Sequence, residues 1–370
     1  MISKFVIYSL SFLILLTACG DDTNQPEDDG FFSEYDSRVF MMGFTSWPYA
    51  PTVAAVDSTY DFIKNYADIY TEHFDYRIPW KSWINDEPLP SEFTADVAGK
   101  TARKVPGKKL LLSISLLNTA RNDLAFDYDG TRPTYEHLND KKIEDAYYKH
   151  IMYLIERFSP DYLVIVIEAN LLKATAPEKW EDYKLLAANV TARVRKSYPV
   201  LPISESISLN SLFDDELAGK VRDVDSMFSY INNMDFAAIS FYPFMRNMHT
   251  KAQVQQVLDF LHKKTQKTIA FVETSTIAED LSVDNLNLYI TGNETEQNDY
   301  LETLLLNAQK HNYAFIIWWA HRDFDALWEI FPEEVKDIGK IWRDTGILDE
   351  NGNKRMSFYT WDLVFKKRYK

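Results

Sequence analysis

Two glutamates stand at the ends of strongly β-forming runs, 105 positions apart in the chain. Tyr162-Leu163-Val164-Ile165-Val166-Ile167 leads into Glu168-Ala169-Asn170, and Thr268-Ile269-Ala270-Phe271-Val272 leads into Glu273-Thr274-Ser275. A carboxylate beside such apolar residues is costly to desolvate unless it has a partner or a task. Two carboxyl groups acting together can break a glycosidic bond. One protonates the leaving oxygen, and the other attacks the anomeric carbon or activates water. Either glutamate alone is explained as well by an ion pair with a nearby Lys or Arg. As a pair at two strand ends they point to catalysis.

That chemistry needs elements that bring the two side chains together. Eight short apolar runs are legible, at residues 39–43, 69–74, 109–115, 162–167, 201–208, 237–241, 268–272 and 315–319. Each has the length of a strand. Between them the apolar residues often step by three and four, as in Val53, Val56, Tyr60, Ile63 and Ala67, or Ile143, Tyr147, Ile151, Leu154 and Phe158. Trp180, Tyr183, Ala187, Val190 and Val194 repeat the pattern, and each set lays one apolar stripe against a sheet. Strands alternating with helices predict a parallel sheet of the α/β class. Eight such units in a chain of this length predict a single (β/α)8 barrel over residues 37–370.

Active sites of that fold lie where the strands end and the βα loops begin. The residues found there are polar and aromatic: Trp47, His73, Asp75, Glu168, Asn170, Tyr242, Glu273, Trp318, Trp319 and Arg322. Glu168 and Glu273 fall after the fourth and seventh strands, on opposite sides of the mouth. Glu205 lies within the fifth run and reads as a structural hydrogen-bonding group. Trp318 and Trp319 are adjacent on one strand, so they face opposite sides and one of them belongs to the core. Arg322-Asp323 reads equally as a surface ion pair of small energetic value.

At these residues the chain resembles clan A of the glycoside hydrolases, and within it the endo-β-1,4-galactanases. The resemblance is carried by Gly43-Phe44-Thr45-Ser46-Trp47-Pro48-Tyr49, Ser240-Phe241-Tyr242-Pro243-Phe244, Glu273-Thr274-Ser275 and Trp318-Trp319. It implies retention of configuration, no cofactor, Glu168 as acid/base and Glu273 as nucleophile. It also implies that Tyr242 donates a hydrogen bond to Glu273, that one of Trp318 and Trp319 floors the cleavage subsite, and that Trp47, His73 and Asp75 touch or support the sugar. The clan usually has Asn directly before the acid/base Glu, gripping the sugar 2-hydroxyl; here that residue is Ile167. Asn170 is the nearest amide, so it takes over that contact, or recognition differs, or activity is lost. The last case describes a non-catalytic glycan-binding lipoprotein on a degenerate barrel.

The remaining composition bounds the alternatives. A net charge of −15 argues against nucleic acid as a partner, whose backbone demands basic patches. Aromatic residues make up 15 % of the chain, which suits carbohydrate platforms as well as ordinary packing. No two His stand at a metal-ligand spacing such as His-x-His, so no metal site is expected. Asp127-Tyr128-Asp129-Gly130 lacks the later Glu of a calcium loop and reads as part of a long acidic loop walling the cleft. There is no Gly-x-Ser-x-Gly elbow for an esterase. Residues 274–297 read as a second long loop.

At the N-terminus, Lys4 and the apolar residues 5–16 read as a signal segment, too short to span a bilayer. Leu16-Thr17-Ala18-Cys19 resembles the lipobox of bacterial lipoproteins, and Cys19 is the only cysteine. The resemblance implies a signal peptide at 1–18 and a lipid on Cys19 that anchors the protein to the bacterial outer membrane. The acidic stretch 19–36 reads as a flexible tether, similar to that of surface-exported lipoproteins, although a plain periplasmic linker fits it too. The expected partners are a polysaccharide or oligosaccharide and the membrane, with the protein itself a monomer.

Overall fold

The computed structural model describes residues 34–75 and 77–370. The expected signal segment, Cys19 and most of the tether lie outside the described residues. Eight parallel staves form the barrel. They are β1 (Met41–Thr45), β2 (Ile69–Phe74), β3 (Lys109–Ile114), β4 (Tyr162–Val164), β5 (Ile203–Ser204 continued by Ser206–Ser208), β6 (Ala237–Phe241), β7 (Ile269–Thr274) and β8 (Phe315–Trp318). Each pairs with its sequence neighbour, and β8 pairs with β1. The ring passes through β5, whose first piece pairs with β4 and whose second pairs with β6.

Each stave is followed by one long helix on the outside: α1 (Val53–Tyr66), α2 (Ser91–Ala102), α3 (Lys141–Phe158), α4 (Trp180–Ser197), α5 (Val221–Ile231), α6 (Lys251–Lys264), α7 (Glu294–His311) and α8 (Met356–Phe365). Side-chain oxygens start several of them. Thr52 accepts from Ala55 N–H, Asn293 from Glu296 N–H, and Thr250 forms a reciprocal capping box with Gln253.

Strand alternation divides the core in two. Met41, Ile69, Leu111, Val164, Ala270 and Ile317 fill the barrel interior. Phe44, Tyr70, Leu112, Ile239, Phe271 and Ile316 face outward under the helices. Between β1 and β2 the backbones approach so closely that a Cβ on Gly43 would sit 2.0 Å from the Ile69 carbonyl oxygen. At the barrel's far end, Ser37–Arg38 pairs in parallel with Arg368–Tyr369, and the buried Arg38 grips Asp68 with two nitrogens. The eight expected runs are thus the eight staves. The segment 274–297 is not one loop: it carries a β-hairpin of Leu281–Val283 against Leu288–Ile290, and α7 begins within it.

Candidate active site

Two irregularities at the strand ends aim the glutamates. In β7, Phe271 pairs with Ile239 of β6 and Ile316 of β8, yet the next pairs are Ser240 with Glu273 and Trp318 with Thr274. One extra residue is therefore inserted into β7. Such a bulge shifts the alternation by one. Val272 and Glu273 both face the barrel axis, while the Thr274 hydroxyl turns outward to Tyr300 on α7. Strict alternation would have sent Glu273 into the helices.

β4 stops at Val164, short of the expected end at Ile167. The Tyr147 hydroxyl on α3 takes the Ile165 carbonyl, and Ile165 and Val166 both pack outward. Ile167 returns to the interior, and Glu168 follows with φ of 53°, in the left-handed region. A non-glycine residue there costs roughly 1–2 kcal/mol. The Glu168 N–H, donating to Ser206 Oγ at 2.8 Å, helps to hold it.

The two carboxyls meet through one hydroxyl. Ser240 Oγ lies 2.7 Å from Glu273 Oε1 and 3.1 Å from Glu168 Oε1. One oxygen of each is thus held within about 6 Å of the other, short of the ~6.5–9.5 Å of inverting pairs and compatible with the closer spacing of retaining ones. Both line a cleft of about 770 Å³ at the mouth. Burial, with the neighbouring Glu168 charge adding to it, pushes the Glu273 carboxyl up to about 8.

Arg121 stands behind Glu168. Its terminal nitrogens reach both Asp75 oxygens at 3.1 and 3.3 Å, and its Nε lies 3.4 Å from Glu168 Oε2. Glu168 keeps 20 % of its side chain exposed to the cleft, so the cation flanks it without sealing it. Burial opposes ionisation of Asp75, but Arg121 and His73 outweigh it and hold its carboxyl below the usual range. His73 is driven down to about 4 by burial, and is neutral at ordinary pH.

The aromatic wall is built from separate loops. Trp47, after β1, packs on Trp319, after β8, with centroids 5.5 Å apart, and His73 meets the same Trp319 ring at 5.6 Å. Phe324, Phe331 and Trp342 continue the wall, with Tyr242 beneath. The indole N–H groups of Trp47 and Trp319 are buried without a protein acceptor.

Of the expected residues, Glu168, Glu273, Trp47, His73, Asp75, Tyr242 and Trp319 come together in the cleft. Three are placed elsewhere. Trp318 is fully buried on the outer face of β8, its indole N–H donating to Thr345 O. The Asn170 amide is buried and turned to the backbone, donating to Ser208 O and accepting from Ser208 N–H, and it does not line the cleft. Arg322 lies over the Tyr49 ring and donates to Glu350 O, outside the cleft. Its neighbour Asp323 is buried and pairs with Arg355 instead. The hydroxyl bound to Glu273 is that of Ser240, where the resemblance had implied Tyr242. Glu205 sits where expected, its carboxyl buried between Tyr183 and Tyr230 outside the barrel wall.

The sequence matches no protein-family model and no curated protein. Solved structures do match. The Ignisphaera aggregans GH53 catalytic domain aligns with a TM-score of 0.56 at 16 % identity, over 90 % of this chain and 96 % of that one. A GH5_18 protein from Bifidobacterium longum subsp. infantis gives 0.62 at 13 %, over 90 % and 80 %. Native xylanase 10B from Thermotoga maritima gives 0.57 at 14 %, over 89 % and 95 %. The fold shared with these structures is the (β/α)8 barrel.

Arg121, and the contact of Ser240 with the two glutamates, escaped the sequence reading. Arg121 lies in an irregular loop with no period to locate it, and its signal is only a lone cation in an acidic stretch. Ser240 lies within an apolar strand, where alternation alone gives a small polar residue no distinction.

Proposed function

We propose that this chain is a retaining glycoside hydrolase that cleaves O-glycosidic bonds with Glu168 as acid/base and Glu273 as nucleophile. The observation that carries this reading is the Ser240 hydroxyl bound to both carboxyls, which brings them within reach of one sugar linkage. Glu168 gives its proton to the leaving oxygen as Glu273 attacks the anomeric carbon. Water, deprotonated by Glu168, then releases the glycosyl group. Trp319 and Trp47 offer apolar faces for sugar C–H groups.

The substrate is a neutral glycan. Each cation lining the cleft is already ion-paired: Arg77 with Glu92, Lys100 with Asp96, Arg121 with Asp75, and Arg246 with Asp214. A uronic acid or sulfate would meet paired cations and two catalytic carboxyls. The likeness to the galactanase-type barrel makes β-1,4-galactan the first polymer to assay. Lipid anchoring at Cys19 to the outer membrane belongs to the same proposal, and Cys19→Ala is expected to release the protein from the membrane fraction.

Digests of neutral and anionic polysaccharides with the wild type, Glu168→Gln and Glu273→Gln test the assignment. Cleavage of a neutral glycan should fall by about 10²–10⁴-fold when the acid is removed. A second reading has one specific observation behind it: with Ile167 buried and the Asn170 amide engaged, neither can grip a sugar 2-hydroxyl. Glycan binding without cleavage by the wild type would favour that non-catalytic reading.

A further inference from the structure

Ser240 has one proton and two carboxyl neighbours. Its hydroxyl is buried on β6, 2.7 Å from Glu273 and 3.1 Å from Glu168. A hydroxyl donates once and can accept besides. It cannot donate to both carboxylates together, so the geometry fits a pair carrying a single proton. In that state one carboxylic acid donates to Oγ, and Oγ donates to the other carboxylate. Two carboxyls this close share a proton for electrostatic reasons as well.

The surroundings decide where that proton rests. Arg121 pairs with Glu168 and with Asp75. Glu273 is the more buried of the two, and burial favours its neutral form. Asp75 and Tyr242 complete the ring of titratable groups, with neutral His73 beyond Asp75. The resting proton therefore sits on Glu273. Catalysis needs it on Glu168, with Glu273 ionised.

We propose that the Ser240 hydroxyl is the proton relay that converts the resting pair into the reactive one. The Glu273 proton passes to Oγ as the Oγ proton passes to Glu168. Net charge is unchanged, no water is required, and the product is a Glu273 carboxylate accepting from Ser240 beside a protonated Glu168. This makes Ser240 a residue that acts through the two glutamates. The proposal rests on the hydrolase reading for its role in turnover, while the shared proton stands on the geometry alone.

Ser240→Ala and Ser240→Thr test it, with two readouts. On a natural glycan, Ser240→Ala should lose roughly 10- to 100-fold in kcat, and Ser240→Thr, which keeps the hydroxyl, should recover most of the loss. On an aryl glycoside with an activated leaving group, which needs no acid, Ser240→Ala should regain activity as pH rises and Glu273 ionises directly. A uniform loss with the wild-type pH profile, or no loss, overturns the relay. The second readout needs no turnover. Carboxyl 13C signals of Glu168 and Glu273, assigned with the Gln variants, should move together through one shared titration step in the wild type. Independent titration in the wild type overturns the shared proton. Shared titration in a protein that cleaves no glycan keeps it, and sinks the hydrolase reading instead.

Discussion

Arg121 Nε lies 3.4 Å from Glu168 Oε2, while its terminal nitrogens reach Asp75, the Ser115 hydroxyl and the Asn118 carbonyl. The arginine is 8 % exposed and bridges the ends of β2 and β4. Its φ of 52° places it, like Glu168, in the left-handed region. Backbone strain of this kind tends to collect where side chains must be held for function.

Removing that cation leaves the half-buried Asp75 without its main partner. Arg121→Ala is expected to destabilise the fold by roughly 1–3 kcal/mol, less than for a fully sealed pair because Asp75 keeps some exposure. Arg121→Lys should keep part of the charge and lose the two-pronged geometry. Urea unfolding of both variants measures the first effect, and glycan turnover the second.

The adjacent tryptophans should separate cleanly. Trp318 is sealed in the core, so Trp318→Ala should cost about 3–5 kcal/mol of stability. Trp319 faces the cleft, so Trp319→Ala should weaken glycan binding with a much smaller fall in melting temperature. Calorimetric binding and thermal unfolding of the two variants would show the opposite pattern if the faces were exchanged.

Glu205 carries a pH signature. Burial raises its carboxyl to about 7, against the opposing hydrogen bonds from Tyr183 and Tyr230. Folding therefore favours the protonated form. Its stabilising contribution is fully present below the unfolded value near 4.3, and is lost as pH rises through about 7. Relative to Glu205→Gln, the wild type should lose up to about 3 kcal/mol between pH 4 and pH 8. Unfolding free energies of the two proteins across that range check the slope. A difference that stays flat contradicts the assignment.

Much of this was legible in the chain. The eight runs are the eight staves because barrel strands are buried on both faces and stand out as apolar stretches. Glu168 and Glu273 were visible because a charge at the end of such a stretch has few explanations. Their aim was not visible. It depends on a bulge in β7 and a break in β4, which come from pairing with neighbours far away in sequence. Alternation could say that Trp318 and Trp319 part company, but only the turn after β8 says which enters the cleft. Asn170 looked available because its competitor, the Ser208 backbone, lies on the next strand. Arg121 was hidden for the converse reason: its partners come from three different loops.

The most direct test of the paired carboxyls is the anomeric configuration of the sugar first released from a cleaved glycan, followed by proton NMR before mutarotation. Two carboxyls held this close by one serine hydroxyl predict that the configuration of the cut bond is retained. Release of the inverted anomer would contradict that geometry, and so would full activity in Glu273→Gln.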